Sequence, residues 1–387
     1  MNFADFSIQY PTLANENPID VLRLIRTPNV GPITFFQLIR RFRTAANALK
    51  ALPELSLRGG RKQPLVACLE VTAQKEMDAA QKFGARMILY GMPDYPRLLH
   101  TIPDPPPLIT VSGHPHLWQK SDAIAMVGAR NASANGCQFA GRLAKELGES
   151  GLITVSGLAR GIDSFVHKGS LATGTVAVIA GGIDNIYPPE NEPLYQQLRE
   201  SGAIISEQPF GALPYSGAFP GRNRIIAGMS LGTVVVEASP KSGSLITARF
   251  ATENNREVFA IPGSPLDPRS RGCNQLIKQG ATMAESASDI LQGITHLRNT
   301  GLKETPPLEY DANLYTAPAD NDLDEIRRVV TGKLSTTPVL VDELIEQCGA
   351  APGAIMTVLL ELELAGRLKR GAGNRAYLIG AMAEESA

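Results

Sequence analysis

Residues 123–163 read AIAMVGARNASANGCQFAGRLAKELGESGLITVSGLARGID, and this stretch decides the fold. It opens with an unbroken apolar run, 123–127, as a strand buried on both faces requires. A glycine turn, MVGARNAS (126–133), leads to a segment with helical spacing at 136–149. A second apolar run, 152–156, ends in another glycine turn, VSGLARGID (155–163). Strand, turn, helix and strand in this order make the βα unit of a parallel sheet, whose ligand sites lie at the C-terminal strand ends.

The pattern repeats outward. Apolar runs at 87–90, 176–180, 203–206, 233–238 and 257–261 alternate with turns and with amphipathic stretches such as 243–254. We therefore expect an α/β protein whose residues 86–297 form an extended Rossmann-like, doubly wound parallel sheet. Residues 1–85 read as a helical module of the SAM or helix-hairpin-helix kind. Val21, Leu22 and Ile25, then Phe35, Phe36, Leu38, Ile39 and Phe42, follow helical spacing on either side of the turn TPNVGP (27–32). The amides of such a turn either meet a phosphate or belong to a helical scaffold. Residues 298–321 are polar and proline-containing, as in a linker. Residues 322–387 suggest a winged helix, with helices at 322–331, 340–348 and 352–366 and two short strands around a Gly-Ala-Gly-Asn turn. The last helix, PGAIMTVLLELELAG, is apolar and acidic, which favours packing or a protein contact over reading duplex DNA.

Composition narrows the function classes. The 387 residues carry a net charge of −1, so no general field draws in nucleic acid or membrane. Residues 18–84 hold eleven Lys/Arg against five Asp/Glu, while 85–297 hold seventeen of each. Nucleic-acid contact in the central region must come from individually placed residues. Cys68, Cys137, Cys273 and Cys348 form no C-x-x-C pair, which argues against zinc and disulfides and fits a reducing, cytoplasmic setting. The N-terminal MNFADFSIQY lacks a signal pattern, and the uncharged run 169–183 is too short and glycine-rich to span a bilayer.

Five motifs fall at the expected strand ends. In 126–133, Gly128 permits close backbone approach and Arg130 reaches outward. In 155–163, Ser156, Gly157 and Gly161 shape a turn into a helix start that favours an anion, with Arg160 and Lys168 nearby. GGIDNIYPPEN (181–191) follows the next strand. FPGRNRIIAG (219–228) carries Arg222, Asn223 and Arg224 beside Phe219. EASPKSGSLITA (237–248) sets Lys241, Ser242, Gly243 and Ser244 before a helix. Together they predict a phosphate-binding edge, with Phe165, Tyr187, Tyr215 and Phe219 as candidates for stacking bases.

Catalytic signatures are missing. The first turn lacks G-x-G-x-x-G, the next strand ends in Ser156 rather than an acid, and no Walker lysine motif occurs. Ser156 is not in a G-x-S-x-G elbow. Asp163 and His167 stand one helical turn apart, a spacing that allows pairing but more often serves capping or packing.

VSGLARGID, HKGSL (167–171), GGIDNIYPPEN, SEQPFG (206–211), FPGRNRIIAG, KSGSLITA (241–248) and FAIPG (259–263) resemble the DprA/Smf family, in the family's order and across about 122–285. The resemblance implies a protein that binds single-stranded DNA, and the missing metal cluster, nucleophile elbow and cofactor fingerprint lead us to expect no chemistry, cofactor or metal of its own. It implies protection of incoming strands in natural transformation, help in loading the RecA recombinase, and homodimerisation through the Rossmann-like domain. Carried onto this sequence, it assigns Gly128 and Arg130, the turn at Ser156, Gly157 and Gly161, the cluster Arg222, Asn223 and Arg224, and Ser242, Gly243 and Ser244 to the DNA site. Pro189 stands where some relatives carry lysine, and Ser170 where alanine is usual. A nucleotide-processing enzyme of the lysine-decarboxylase-like or phosphoribohydrolase group is the alternative, but its P-G-G-x-G-T-x-x-E pattern is replaced here by KSGSLITA.

Overall fold

The computed structural model describes residues 10–300, 320–371 and 374–379. The segment read for a signal, most of the expected linker and part of the wing turn lie outside the described residues. Among the described residues, no helix is long and apolar enough to cross a membrane. The chain divides into two compact units, Met1–Ala14 with Lys75–Glu304, and Asn15–Gln74 with Thr305–Ala387.

The chain opens with α1 (Pro18–Ile25), α2 (Pro32–Phe42), α3 (Ala45–Arg58) and α4 (Glu70–Phe83). The sheet unit then runs β1 (Arg86–Leu89), β2 (Leu108–Gly113), α5 (Pro115–Gln119), β3 (Ala123–Val127), α6 (Ala134–Glu149) and β4 (Ile153–Ser156). It continues with α7 (Ile162–Ser170), β5 (Thr175–Ile179), α8 (Glu192–Ser201), β6 (Ala203–Ser206), α9 (Ala218–Gly228) and β7 (Gly232–Val235). It closes with α10 (Ser244–Glu253), β8 (Glu257–Ala260), α11 (Arg271–Lys278), β9 (Thr282–Met283) and α12 (Ala287–Thr300).

The nine strands lie in the order β1-β2-β6-β5-β4-β3-β7-β8-β9. From β6 to β9 every pairing is parallel, and the chain reverses direction of growth between β3 and β7. The expectation of a wholly parallel sheet needs correction at one edge, where β1–β2 and β2–β6 are antiparallel. A parallel return requires a crossover helix. The link between β1 and β2 is YGMPDYPRLLHTIPDPPP, whose prolines leave room only for a short 3-10 turn at Arg97–Thr101. Strand β2, right after those prolines, and the two-residue β9 are not among the expected strands. Apolar side chains fill both faces. Leu143, Leu147, Val166 and Ile290 cover Ile124, Met126 and Val234 on one side. Leu194, Tyr195 and Leu198 cover Ala177, Ile179 and Ile204 on the other.

The second unit joins α1–α3 to α13 (Asp320–Lys333), β10 (Val339–Leu340), α14 (Val341–Cys348), α15 (Pro352–Leu364), β11 (Leu368–Gly371) and β12 (Arg375–Leu378). The last six make a winged helix with a three-stranded sheet, β10-β12-β11. Its core, Leu323, Val330, Leu344, Ile355, Val358 and Leu362, is contributed by all three helices. The sequence reading separates the N-terminal helical module from the winged helix, whereas the folded chain joins them in one unit.

Candidate nucleic-acid interface

A pocket of about 340 Å³ opens at the C-terminal ends of β3, β4 and β5. The turn after β3 supplies Arg130 and Asn131, the turn after β4 supplies Gly157, Ala159 and Arg160, and the segment after β5 supplies Gly181, Asn185 and Tyr187. Helix α9 closes it with Phe219 and Arg222.

The floor carries charge. Asp163, buried in the first turn of α7, folds its carboxylate back so that Oδ2 accepts the Gly157 amide at 3.2 Å and the Ala159 amide at 3.4 Å. Arg222 is only 8% exposed, and its Nε finds no hydrogen-bond partner among the described residues. Burial pushes the Asp163 carboxyl up, and the Arg222 guanidinium works against that. Burial also pushes Arg222 down to about 10, with Asp163 opposing the fall and Arg130 adding to it. The charges of Arg222 and Arg130 both favour the ionised Asp163 carboxylate against its burial.

The wall is aromatic. Arg130 lies over the Phe219 ring at 4.9 Å, and the Tyr187 and Phe219 rings are 5.9 Å apart. Tyr187 is 45% exposed, so it offers an open ring face next to the charged floor.

Local sequence explains the turn. A Cβ at Gly157 would fall 1.5 Å from Nη1 of Arg222, so a side chain there forces this guanidinium to move. Gly161 adopts φ +73°, and a Cβ there would sit 2.3 Å from the Ala129 carbonyl oxygen. Asn191 donates from Nδ2 to the Leu158 carbonyl at 2.9 Å, which ties the turn to the GGIDNIYPPEN segment.

The pocket gathers Arg130, Gly157, Arg160, Phe219 and Arg222. Arg160 is exposed and pairs with Glu190 at 2.6 Å, a rim contact of low energetic weight. Gly128 and Gly161 lie behind, where their missing side chains admit Ile162 and the Ala129 carbonyl.

Other expected contacts do not reach the pocket. Ser156 is fully buried and donates Oγ to the Met126 carbonyl at 2.7 Å, so it braces the sheet instead of touching a ligand. The Arg224 side chain is 6% exposed and paired with Glu207 at 2.6 Å and Asp104 at 3.4 Å, so its charge is spent internally. Asn223 is buried and donates to the Gly243 carbonyl at 3.3 Å. Lys241, Ser242 and Gly243 form the turn before α10 and Ser244 opens the helix, all outside the pocket lining, with the Ser242 and Ser244 hydroxyls 2.7 Å apart. Lys168 is exposed on α7, also outside the lining, and lies over Phe165 at 5.3 Å. Two turn amides that read as available to an anion are taken by Asp163. Nor does His167 pair with Asp163. Its Nδ1 lies 2.8 Å from the Thr175 hydroxyl, and burial with Arg222 holds its pKa down to about 3.

Asn185 and Tyr187 line the pocket in addition to the DNA-site residues assigned from sequence, while Asp163 lies behind the lining on the Gly157 and Ala159 amides. Tyr187 is legible as a stacking candidate, and it shares the GGIDNIYPPEN motif with Asn185. Glu237 lies outside the pocket lining. Its carboxylate accepts the Ser133 amide at 2.9 Å and the Ser133 hydroxyl at 2.6 Å at the start of α6. A Rossmann nucleotide phosphate occupies that helix start beside the first strand. Here the chain fills it with its own anion.

A family model described as DNA recombination-mediator protein A matches residues 86–295. A DprA-like N-terminal HHH domain matches 15–79, and a DprA winged helix domain matches 316–374. The chain is 32% identical to Protein Smf of Synechocystis sp., over 94% of this chain and 99% of that protein. It is 44% identical to DNA processing protein DprA of Bacillus subtilis, over 55% of this chain and 73% of the relative. The X-ray structure of DNA processing protein A from Streptococcus pneumoniae superposes with a TM-score of 0.60 at 31% identity, covering 72% of this chain and 98% of that one. A structure of the Helicobacter pylori protein, solved to explain its single-stranded DNA binding mode, superposes with a TM-score of 0.51 at 27% identity, covering 56% and 96%.

Proposed function

This chain belongs to the DNA recombination-mediator protein A (DprA/Smf) family, and we propose that its sheet-end pocket binds single-stranded DNA. A backbone phosphate meets Arg222 and Arg130, while a base stacks against Tyr187 and Phe219. The observation that carries this reading is Arg222, a buried guanidinium with an unpartnered Nε beside an open pocket. Stacking of neighbouring base pairs in a duplex hides the ring faces that such a wall recognises, so the site selects single strands.

In this reading the protein is a cytoplasmic homodimer that protects incoming strands in natural transformation and helps load RecA on them, without a reaction of its own. The polar groups of the pocket support binding rather than turnover. Asp163 is committed to two backbone amides, and His167 sits below the floor in hydrogen-bond range of Thr175.

Fluorescence anisotropy with a labelled single strand, across salt, tests the site. The wild type binds single strands over duplex, and Arg130→Ala binds more weakly. Its log–log salt dependence becomes shallower by about 0.7 for each phosphate that is no longer neutralised. Absence of single-strand binding by the wild type refutes the reading, and release of free base from nucleoside monophosphates favours the nucleotide-processing alternative. Stimulation of RecA-dependent strand exchange tests the mediator step separately.

A further inference from the structure

Helix α7 starts at the pocket and leads away from it. Its cap is Gly161, which directly follows the rim residue Arg160. Positions 161, 165 and 168 have the i, i+4, i+7 spacing of one helix face. Within α7, Phe165 and Lys168 are the exposed residues, and Phe165 keeps 36% of its surface open. At a rise of about 1.5 Å per residue they stand roughly 6 and 10 Å along the axis from Gly161. Close packing on α6 fixes this face in place, since a Cβ on Gly169 would lie 2.1 Å from the Gly141 carbonyl oxygen.

Lys168 lies over the Phe165 ring at 5.3 Å, as Arg130 lies over the Phe219 ring at 4.9 Å in the pocket. Cations on the neighbouring helix are held by acids of their own helix. Arg142 and Lys145 of α6 reach Glu146 at 3.8 Å and Glu149 at 3.7 Å. Lys168 has no ion pair among the described residues. An exposed contact between an ammonium and a ring is weak, so the cation can turn to a phosphate and the ring to a base. A single strand repeats its phosphates about every 3.4 Å when stacked, so about 10 Å corresponds to about three nucleotides.

We propose that Phe165 and Lys168 form a second contact for single-stranded DNA on α7, outside the pocket: a strand leaving over the rim at Arg160 meets Lys168 with a backbone phosphate and stacks a base on Phe165. This inference rests on the single-strand reading of the pocket, because it follows the strand that the pocket anchors.

The test uses the full chain as wild type, Phe165→Ala, Phe165→Trp, Lys168→Gln, Lys168→Arg and a control, Lys145→Gln. Anisotropy is measured across salt with a labelled oligothymidylate long enough to cover both contacts. Phe165→Ala is expected to bind about fivefold more weakly or worse, the effect of one lost stacked base, while Phe165→Trp keeps wild-type affinity. Lys168→Gln binds more weakly, and its log–log salt dependence becomes shallower by about 0.7, the value for one phosphate. Lys168→Arg restores both. Lys145→Gln removes the same charge from α6 and leaves the slope unchanged. Wild-type affinity in both Phe165→Ala and Lys168→Gln overturns the proposal and leaves this face to a protein partner, while a loss in Arg130→Ala still upholds the pocket. An equal loss in Lys145→Gln also overturns it, since net charge then explains the effect. So does an equal loss in Phe165→Trp and Phe165→Ala, which reports packing. Absence of strand binding by the wild type refutes the pocket reading and this inference with it.

Discussion

At Gly157 one added carbon competes directly with Arg222 for space. Gly157→Ala is expected to expel the guanidinium from the pocket floor while leaving the fold intact, since the position has no positive φ. A hydrogen bond to a charged group contributes about 1.5–3 kcal/mol. Single-strand affinity in this variant should therefore fall roughly tenfold to a hundredfold, with circular dichroism unchanged. His167 makes a second prediction at this scale. Its folded-state pKa of about 3 lies below the ordinary value of 6.5, so the unfolded chain takes up the proton first as pH falls. Stability is then complete above pH 6.5 and is lost toward pH 3, at up to about 1.4 kcal/mol per pH unit. His100, lowered to about 4 by burial and Arg97, adds a loss of the same sign. Urea unfolding at pH 7.5 and 5 should show a smaller pH effect in His167→Gln than in wild type.

Helix α9 shows what periodicity does to a motif. Arg222 and Arg224 are two residues apart, a rotation of about 200° on a helix, so they point to opposite sides. Read as a loop, FPGRNR presents both arginines to a ligand. Folded as a helix, it aims one at the pocket and the other at Glu207 and Asp104. Two different phenotypes follow. Arg222→Ala should abolish single-strand binding. Arg224→Ala strands two carboxylates in a largely buried site and should cost about 3–5 kcal/mol of stability, measured by urea denaturation, while the folded fraction still binds. The βα turns were legible because glycine and serine after an apolar run leave few alternatives. The antiparallel edge was not, because direction depends on whether the connecting segment can form a helix, and the prolines between β1 and β2 prevent it.

The second unit is assembled from two segments far apart in the chain, Asn15–Gln74 and Thr305–Ala387. Its continuity depends on α15, which lies within the winged-helix core and also against α2 and α3. Removing residues 320–387 should therefore reduce hydrogen-exchange protection in α1, α2 and α3. The same deletion should leave the sheet-unit pocket and its single-strand affinity in place. Equal protection of the three helices in the truncated chain would show that they fold unaided.

The sequence by itself determined the sheet unit, the strand-end turns and the residue types of the pocket. These follow from period, burial and the backbone freedom of glycine, all properties of neighbours along the chain. The tertiary structure alone decided which cations remain open to a ligand. Arg222 faces the pocket while Arg224 is paired with Glu207 and Asp104, and Asp163 claims the amides that seemed free. It also decided that α15 packs on the N-terminal helices. Those outcomes depend on residues distant in sequence, such as Glu363 and Thr34, whose pairing no local pattern encodes.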